Sequence, residues 1–415
     1  MSHEGAILVE TMKFFARPAR HRRSSAVALV GALALLSGTW ALSACSAPGQ
    51  KDSSTGIVET AQSFSPAPAE PQASESATAS SQATVTGSAT AAAPVAIPAD
   101  LRAQAASLIM VGVADFDDAL WALRQGAGGI FLSSTTNPEL LSTPGRDIAA
   151  LRTQVGRDFD VSIDFEGGRV QRFAELLGNY PSPQQMAATM SPEQVRGLAF
   201  DLGTTLAGHG ITVNFAPVVD VDGAGLDVVG DRSFSDDPAV VATYAAAFSQ
   251  GMLDAGVRPV YKHFPGHGRA SGDSHTGQVL TPPLADLQTY DLVPYHSLLG
   301  PTGPQGAGVM VGHMSVPGLG EATASSLNPA AYDLLRSFNF GGLIYTDDLS
   351  GMRAISDSYT PAQAAVASLS AGADQALWIS TAGLVEAVDA VVAAVQSGSY
   401  PRAQFDASVA RVAAS

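Results

Sequence analysis

Residues 258–275, RPVYKHFPGHGRASGDSH, concentrate the side chains best suited to chemistry: Lys262 and His263 close an apolar run, and His267, Asp273 and His275 follow in a loop. Pro265, Gly266, Gly268 and Gly272 exclude a helix after the apolar run and let the backbone turn sharply. In extended chain, residues two apart point the same way, so Asp273 can hold the imidazole of His275 in one orientation. A histidine with a carboxylate partner is a proton-transfer device. Three histidines and an aspartate also resemble a metal site, but Phe264-Pro265-Gly266 between His263 and His267 breaks the helical spacing of the zinc motif. No metal is expected. The remaining alternative is a structural loop whose histidines bond the backbone.

Three further clusters carry charge. IDFEGGRVQRF, residues 163–173, gathers Asp164, Glu166, Arg169 and Arg172 around two glycines that permit close backbone approach to a ligand. GDRSF, residues 230–234, puts the donor fork of Arg232 where it could grip hydroxyls or a carboxylate. GGLIYTDDLS, residues 341–350, ends in adjacent carboxylates. Strand alternation turns Asp347 and Asp348 to opposite sides, so one is expected at a common site. Asp348 fits a solvated helix cap, which leaves Asp347 for chemistry.

The elements that must position these groups are short apolar runs alternating with helical patterns. Eight strands are expected, at 108–113, 128–132, 161–164, 211–216, 258–263, 308–313, 342–347 and 375–379. Helices are expected near 117–125, 145–156, 192–208, 238–253, 283–299, 327–338, 361–371 and 382–396. In 238–253, Val240, Tyr244, Phe248 and Met252 form a stripe suited to packing on a sheet. The alternation predicts an α/β chain folded as a single (β/α)8 TIM-type barrel over 98–415, with its site at the carboxyl ends of the strands. Asp164, Lys262, His263, His313 and Asp347 all close such strands. A doubly wound sheet also alternates, but polar ends on so many strands favour closure.

Residues 1–44 differ: Lys13, Arg17, Arg20, Arg22 and Arg23 precede the apolar run Ala26 to Leu36 and the stretch Leu42-Ser43-Ala44-Cys45. This is the pattern of an export signal, and small residues before a cysteine resemble the lipobox of bacterial lipoproteins. Met12 as start would make that signal more compact. Cys45 is the only cysteine of the 415 residues, so it has no internal disulfide partner, and lipidation after cleavage explains its place better than an incidental position. Residues 45–97, rich in Ser, Ala, Thr and Pro, predict a disordered tether. Losing the leader's five cationic and two acidic residues takes the formal charge from −16 to −19, which argues against nucleic acid as a partner.

Taken together, DFEGGRVQRF, FAPVVDVD, GDRSF, YKHFPGHG with DSH, and TDDLS resemble, in that order, glycoside hydrolase family 3, specifically its NagZ-type β-N-acetylglucosaminidases. The resemblance implies a barrel enzyme without cofactor that removes terminal GlcNAc from cell-wall muropeptides (GlcNAc-MurNAc) in wall recycling. By motif position it implies Asp347 as nucleophile and His275 as acid/base paired with Asp273. Asp164, Arg232, Lys262 and His263 would bind the sugar, with Arg172 and His313 in support. Together with the leader it implies an extracytoplasmic monomer, anchored to the membrane by lipid at Cys45. The chain departs from the family pattern at Phe165, where Gln is usual, at Gly351 between Ser350 and Met352, and at Gly277-Gln278-Val279 after DSH. Besides a broader β-hexosaminidase, two other functions stay open: a β-N-acetylglucosaminide phosphorylase, since neutral imidazole does not repel phosphate, and a non-catalytic wall-binding lipoprotein. The presence of both Asp347 and His275 argues against the second.

Overall fold

The computed structural model describes residues 97–320 and 323–415, so the expected leader, Cys45 and nearly all of the tether lie outside the described residues. Eight parallel strands form one sheet: β1 (Ile109–Gly112), β2 (Gly129–Leu132), β3 (Asp160–Ile163), β4 (Val213–Asn214), β5 (Arg258–Phe264), β6 (Gly308–Val311), β7 (Ile344–Thr346) and β8 (Ala376–Trp378). Each pairs with the next as far as β7, and β8 pairs with β1. The last seam, β7 to β8, is joined by a bridge between Tyr345 and Gln375 and by the Thr346 amide donating to the Gln375 carbonyl at 3.0 Å. This is the expected eight-stranded barrel, with each strand inside or within one residue of its predicted run.

Strands buried on both faces must read as nearly continuous apolar sequence, as GIFL and GVMV do in β2 and β6. The inward side chains fill the barrel with Met110, Phe131, Phe215, Val260, Met310, Tyr345 and Leu377. Phe215 packs against both Phe131 and Tyr345, with ring centroids 5.8 and 5.4 Å apart. The outward side chains meet the helices in a second, larger apolar layer.

Two helical expectations need correction. Helix Pro238–Asp254 turns Val241, Ala245, Phe248 and Met252 inward, whereas Val240 and Tyr244 are only half-buried. Its stripe therefore follows i, i+4, i+7, i+11, the period of a real helix, and a strict four-residue repeat drifts off that face. The single helix expected at 283–299 is two, Leu284–Thr289 and Val293–Leu298, separated where Asp291 turns inward to bind Arg269 at 2.6 Å. Helices Leu101–Ser107 and Arg402–Ala413 bracket the barrel without having been anticipated.

Polar groups gather at both ends of the barrel but are used differently. At the amino ends, Arg258 donates to Asp160 at 3.0 Å and to the Tyr345 hydroxyl at 3.1 Å, while Thr212 donates to Asp160 at 2.8 Å, so this network is closed on itself. Just before β8, the fully buried Asp374 accepts from Arg336 and Arg411 at 2.8 Å each, from Ser408 at 2.9 Å and from the Ile344 amide at 3.0 Å. It thereby ties two outer helices to the weakest seam of the sheet. Removing one member of a buried pair leaves the other uncompensated. Asp374→Ala is expected to cost about 3 kcal/mol in urea unfolding, at the low end of the usual range because both arginines keep some water contact. An unchanged midpoint would show that the seam does not depend on it.

Candidate active site

A cavity of about 380 Å³ opens at the carboxyl ends of the strands, and its walls include Asp164, Arg172, Arg232, Lys262, His263, His275 and Asp347. Each arrives by a different route. Asp164 directly follows β3, Lys262 and His263 belong to β5, and Asp347 follows β7. Arg232 lies in the short 3-10 turn Gly230–Arg232 after β4, and His275 lies in the loop after β5. Phe131, Phe215, Met310 and Leu377, the top of the barrel core, supply the apolar part of the lining.

One wall is a charge network around Glu166. Its side chain has no solvent exposure and accepts from Arg232 Nε and Nη2 at 2.8 Å each and from Lys262 Nζ at 2.6 Å. Lys262 also reaches Asp164 at 2.8 Å, and Arg172 approaches Asp164 at 3.8 Å. Burial pushes the Glu166 carboxyl up, but Arg232 and Lys262 outweigh it and hold the group well below the ordinary carboxylate range. Burial likewise works against the Lys262 ammonium, and Asp164 and Glu166 restore it above the ordinary lysine value. The fork of Arg232 thus grips a carboxylate of its own chain, and its Nη1 donates to the Val228 carbonyl at 2.8 Å. Arg172 lines the cavity beside Asp164, and its Nε is buried without a partner. Arg169 points away from the cavity, to Asp231 at 2.9 Å.

The opposite wall holds the paired aspartates. Asp347 is nearly buried and accepts the Asp348 amide at 2.9 Å. Burial pushes its carboxyl up, yet the imidazoles of His263 and His313, that amide and the Lys262 ammonium more than offset it, so Asp347 stays an anion. Contrary to the alternation argument, Asp348 also lines the cavity and is buried rather than solvated, because the strand ends at Thr346 and the chain turns. It caps that turn, accepting from the Ser350 and Gly351 amides at 2.9 Å each, and burial raises its carboxyl. A Cβ on Gly351 would meet the Asp348 carboxylate and the Ile379 side chain, both of which would have to shift to admit it. His313 stands behind the wall: Nε2–H donates to the Asp348 carbonyl at 2.8 Å and Nδ1 accepts from Ser326 at 2.7 Å. Burial lowers its basicity, and its two hydrogen bonds make it a brace.

The loop after β5 folds over the mouth. His275 Nδ1–H donates to Asp273 at 2.7 Å, leaving Nε2 for proton transfer, and the His275 side chain is 56% exposed. Partial burial pushes the Asp273 carboxyl up, but the His275 amide and ring hold it below its ordinary value. Ser274 pins this loop to the segment after Asp347: its carbonyl accepts the Ala354 amide at 3.2 Å and its hydroxyl contacts the Met352 sulfur at 3.7 Å. His267 lines the cavity as well, donating Nε2–H to the Gly272 carbonyl at 2.9 Å. Phe165 has no place in the wall; it is buried edge-on against Tyr180, 5.7 Å between centroids. Among the described residues, no group of three or more His, Cys, Asp or Glu is disposed to hold a metal ion.

Two participants carried no assigned role in the sequence reading. Glu166 was visible only as part of a charged cluster, and Asp220, inside FAPVVDVD, is buried against His263 at 2.6 Å. Serine and threonine at 133–135, on the β2 loop, complete the rim.

The model of the glycosyl hydrolase family 3 N-terminal domain matches residues 101–414. The chain belongs to glycosyl hydrolase family 3. The β-hexosaminidase LpqI of Mycobacterium tuberculosis is 46% identical to it over 331 residues, 77% of this chain and 84% of that protein. The crystal structure of a family 3 member from Mycobacterium smegmatis superposes with a TM-score of 0.73 at 48% identity, covering 76% of this chain and 98% of that one. A family 3 β-N-acetylglucosaminidase from Paenibacillus gives a TM-score of 0.70 at 29% identity, covering 76% of this chain and 62% of that one. The chain is thus a glycoside hydrolase, and the resemblance read from its motifs agrees with the family match.

In this family 3 hydrolase, Glu166 sets a sign for acid stability. Its folded carboxyl titrates below the unfolded one, so its contribution is complete above about pH 5 and is lost as pH falls toward the depressed folded value. Urea unfolding between pH 5 and pH 3 should fall more steeply for the native protein than for Glu166→Gln, whose lower stability loses that component of the slope. Parallel curves would contradict the charge network.

Proposed function

We propose that the chain is a retaining exo-β-N-acetylhexosaminidase that releases terminal GlcNAc from cell-wall muropeptides. The observation that carries this reading is that a buried carboxylate, Asp347, and an aspartate-oriented imidazole, His275, line one cavity from different strands and are held together through Ser274. The names of the relatives, β-hexosaminidase and β-N-acetylglucosaminidase, support the sugar.

In the mechanism, Asp347 attacks the anomeric carbon as the bond to the leaving oxygen breaks, and His275 Nε2–H gives that oxygen its proton. The product is a glycosyl ester of Asp347 and a neutral alcohol. His275, now neutral, takes a proton from water, and the water oxygen displaces Asp347 from the anomeric carbon. Two inversions retain the configuration. Lys262, His263, Asp164 and Arg172 face the same space with polar groups suited to sugar hydroxyls, and Arg232 acts mainly by holding Glu166. The nucleophile sits at depth and the acid at the exposed mouth, an arrangement that admits a chain end and lets the aglycone leave toward solvent.

Asp347→Asn is expected to lower kcat on an aryl β-GlcNAc by at least about 10³-fold; near-native turnover would reject the nucleophile. His275→Ala should lose far more activity on GlcNAc-MurNAc than on an aryl glycoside with a very good leaving group, because only the former needs the proton. Equal losses would reject the acid role.

The wall substrate and the location rest on the leader, the lone Cys45 and the tether composition. In this reading the enzyme is an extracytoplasmic, lipid-anchored monomer, and Cys45→Ala should move it from the membrane to the soluble fraction. Product analysis with GlcNAc-MurNAc disaccharide peptide should give free GlcNAc with or without phosphate. GlcNAc 1-phosphate in phosphate buffer would make it a phosphorylase, and turnover of chitobiose without turnover of the muropeptide would overturn the wall substrate.

A further inference from the structure

Asp220 follows β4 and has no solvent-exposed side-chain surface. Its two oxygens do different work. Oδ2 lies 2.6 Å from His263 Nδ1. Oδ1 accepts the backbone amides of His263 at 3.3 Å and His267 at 2.7 Å. The neighbouring backbone fixes this approach: Val218 bridges to Lys262, and the Val219 amide donates to the Lys262 carbonyl at 2.7 Å. Burial pushes the Asp220 carboxyl up, but His263 and His267 more than offset it, and the Arg232 guanidinium and the Asp291 carboxylate also stand within its field. Asp220 is therefore an anion, and an anionic carboxylate can only accept.

We infer that Asp220 is a positioning residue that fixes His263 with its proton on Nδ1, and so decides that Nε2 is the ring nitrogen presented to the sugar. The same carboxylate anchors the start of the loop that carries His275, which joins recognition of the sugar to placement of the acid. No contact of Asp220 with the cavity is involved, since it is absent from the lining while His263 is part of it. The inference rests on the glycosidase reading for its kinetic test only.

The two oxygens allow the roles to be separated. In Asp220→Asn, the amide oxygen can keep both backbone bonds while the NH2 group replaces Oδ2 and faces His263 Nδ1. That nitrogen must then give up its proton to accept, which reverses the polarity of Nε2. Asp220→Asn should therefore lower kcat/KM on an aryl β-GlcNAc by about 10- to 100-fold, the usual effect of disturbing a carboxylate that orients a working histidine. In a His263→Ala background the same change should alter kcat/KM by less than about twofold, because only the retained bonds remain. An equal loss in both backgrounds, or no loss in the native one, would overturn the inference. Nitrogen NMR of the histidine-labelled native protein gives a readout independent of activity and of any variant's folding: His263 should carry its proton on Nδ1, and a proton on Nε2 alone would overturn it. Absence of aryl β-GlcNAc hydrolysis by the native enzyme would sink the glycosidase reading, and the spectrum would still decide the role of Asp220.

Discussion

A carboxylate without access to water is tolerated only when cations and donors saturate it. Glu166 meets that condition through three charge-assisted contacts, two from Arg232 and one from Lys262. Those partners come from the loop after β4 and from β5, while Glu166 comes from the loop after β3. Three consecutive barrel units must therefore be in register before the charge is satisfied. The same contacts leave Lys262 aimed at Asp164 and place both groups on the cavity wall. An arrangement that stabilises the fold at this point is also the one that holds cationic and anionic groups ready for a polyhydroxylated ligand.

The barrel divides its polar residues by end. Arg258, Asp160, Thr212 and Tyr345 at the amino ends bond to one another and take no part in the cavity wall. At the carboxyl ends the networks stop short of saturation: His275 keeps Nε2 open, and Asp347 accepts one backbone amide. Unspent capacity at one rim is what separates a site from a structural plug. Ser274 then matters out of proportion to its size, because its bonds to Ala354 and Met352 join the acid's loop to the nucleophile's segment.

Much of this was legible in the sequence, for a physical reason. Parallel strands buried on both faces leave uninterrupted apolar runs, and a charge at the end of such a run marks the rim, so Asp164, Lys262, His263, His313 and Asp347 could be sorted onto one end without coordinates. What local sequence did not carry was partnership over distance. Arg232 and Glu166 are 66 residues apart, Asp220 and His263 are 43 apart, and nothing in either neighbourhood names the other. Alternation failed at Asp348 because the strand had already ended, and the helix at 283–299 is interrupted where Asp291 turns in to Arg269 and Pro294, which has no N–H to continue the ladder, opens the second helix.

The central claim is that Asp347 becomes covalently bonded to the sugar while His275 serves the leaving oxygen. The direct measurement is peptide mapping by mass spectrometry of His275→Ala protein mixed rapidly with an aryl β-GlcNAc bearing a very good leaving group, where formation of the ester no longer needs an acid but its hydrolysis lacks a base. The account predicts one added N-acetylhexosamine residue, on the peptide containing Asp347 and fragmenting to that side chain. Label on Asp348 or Asp164, or product released with inverted configuration and no label at all, would contradict it.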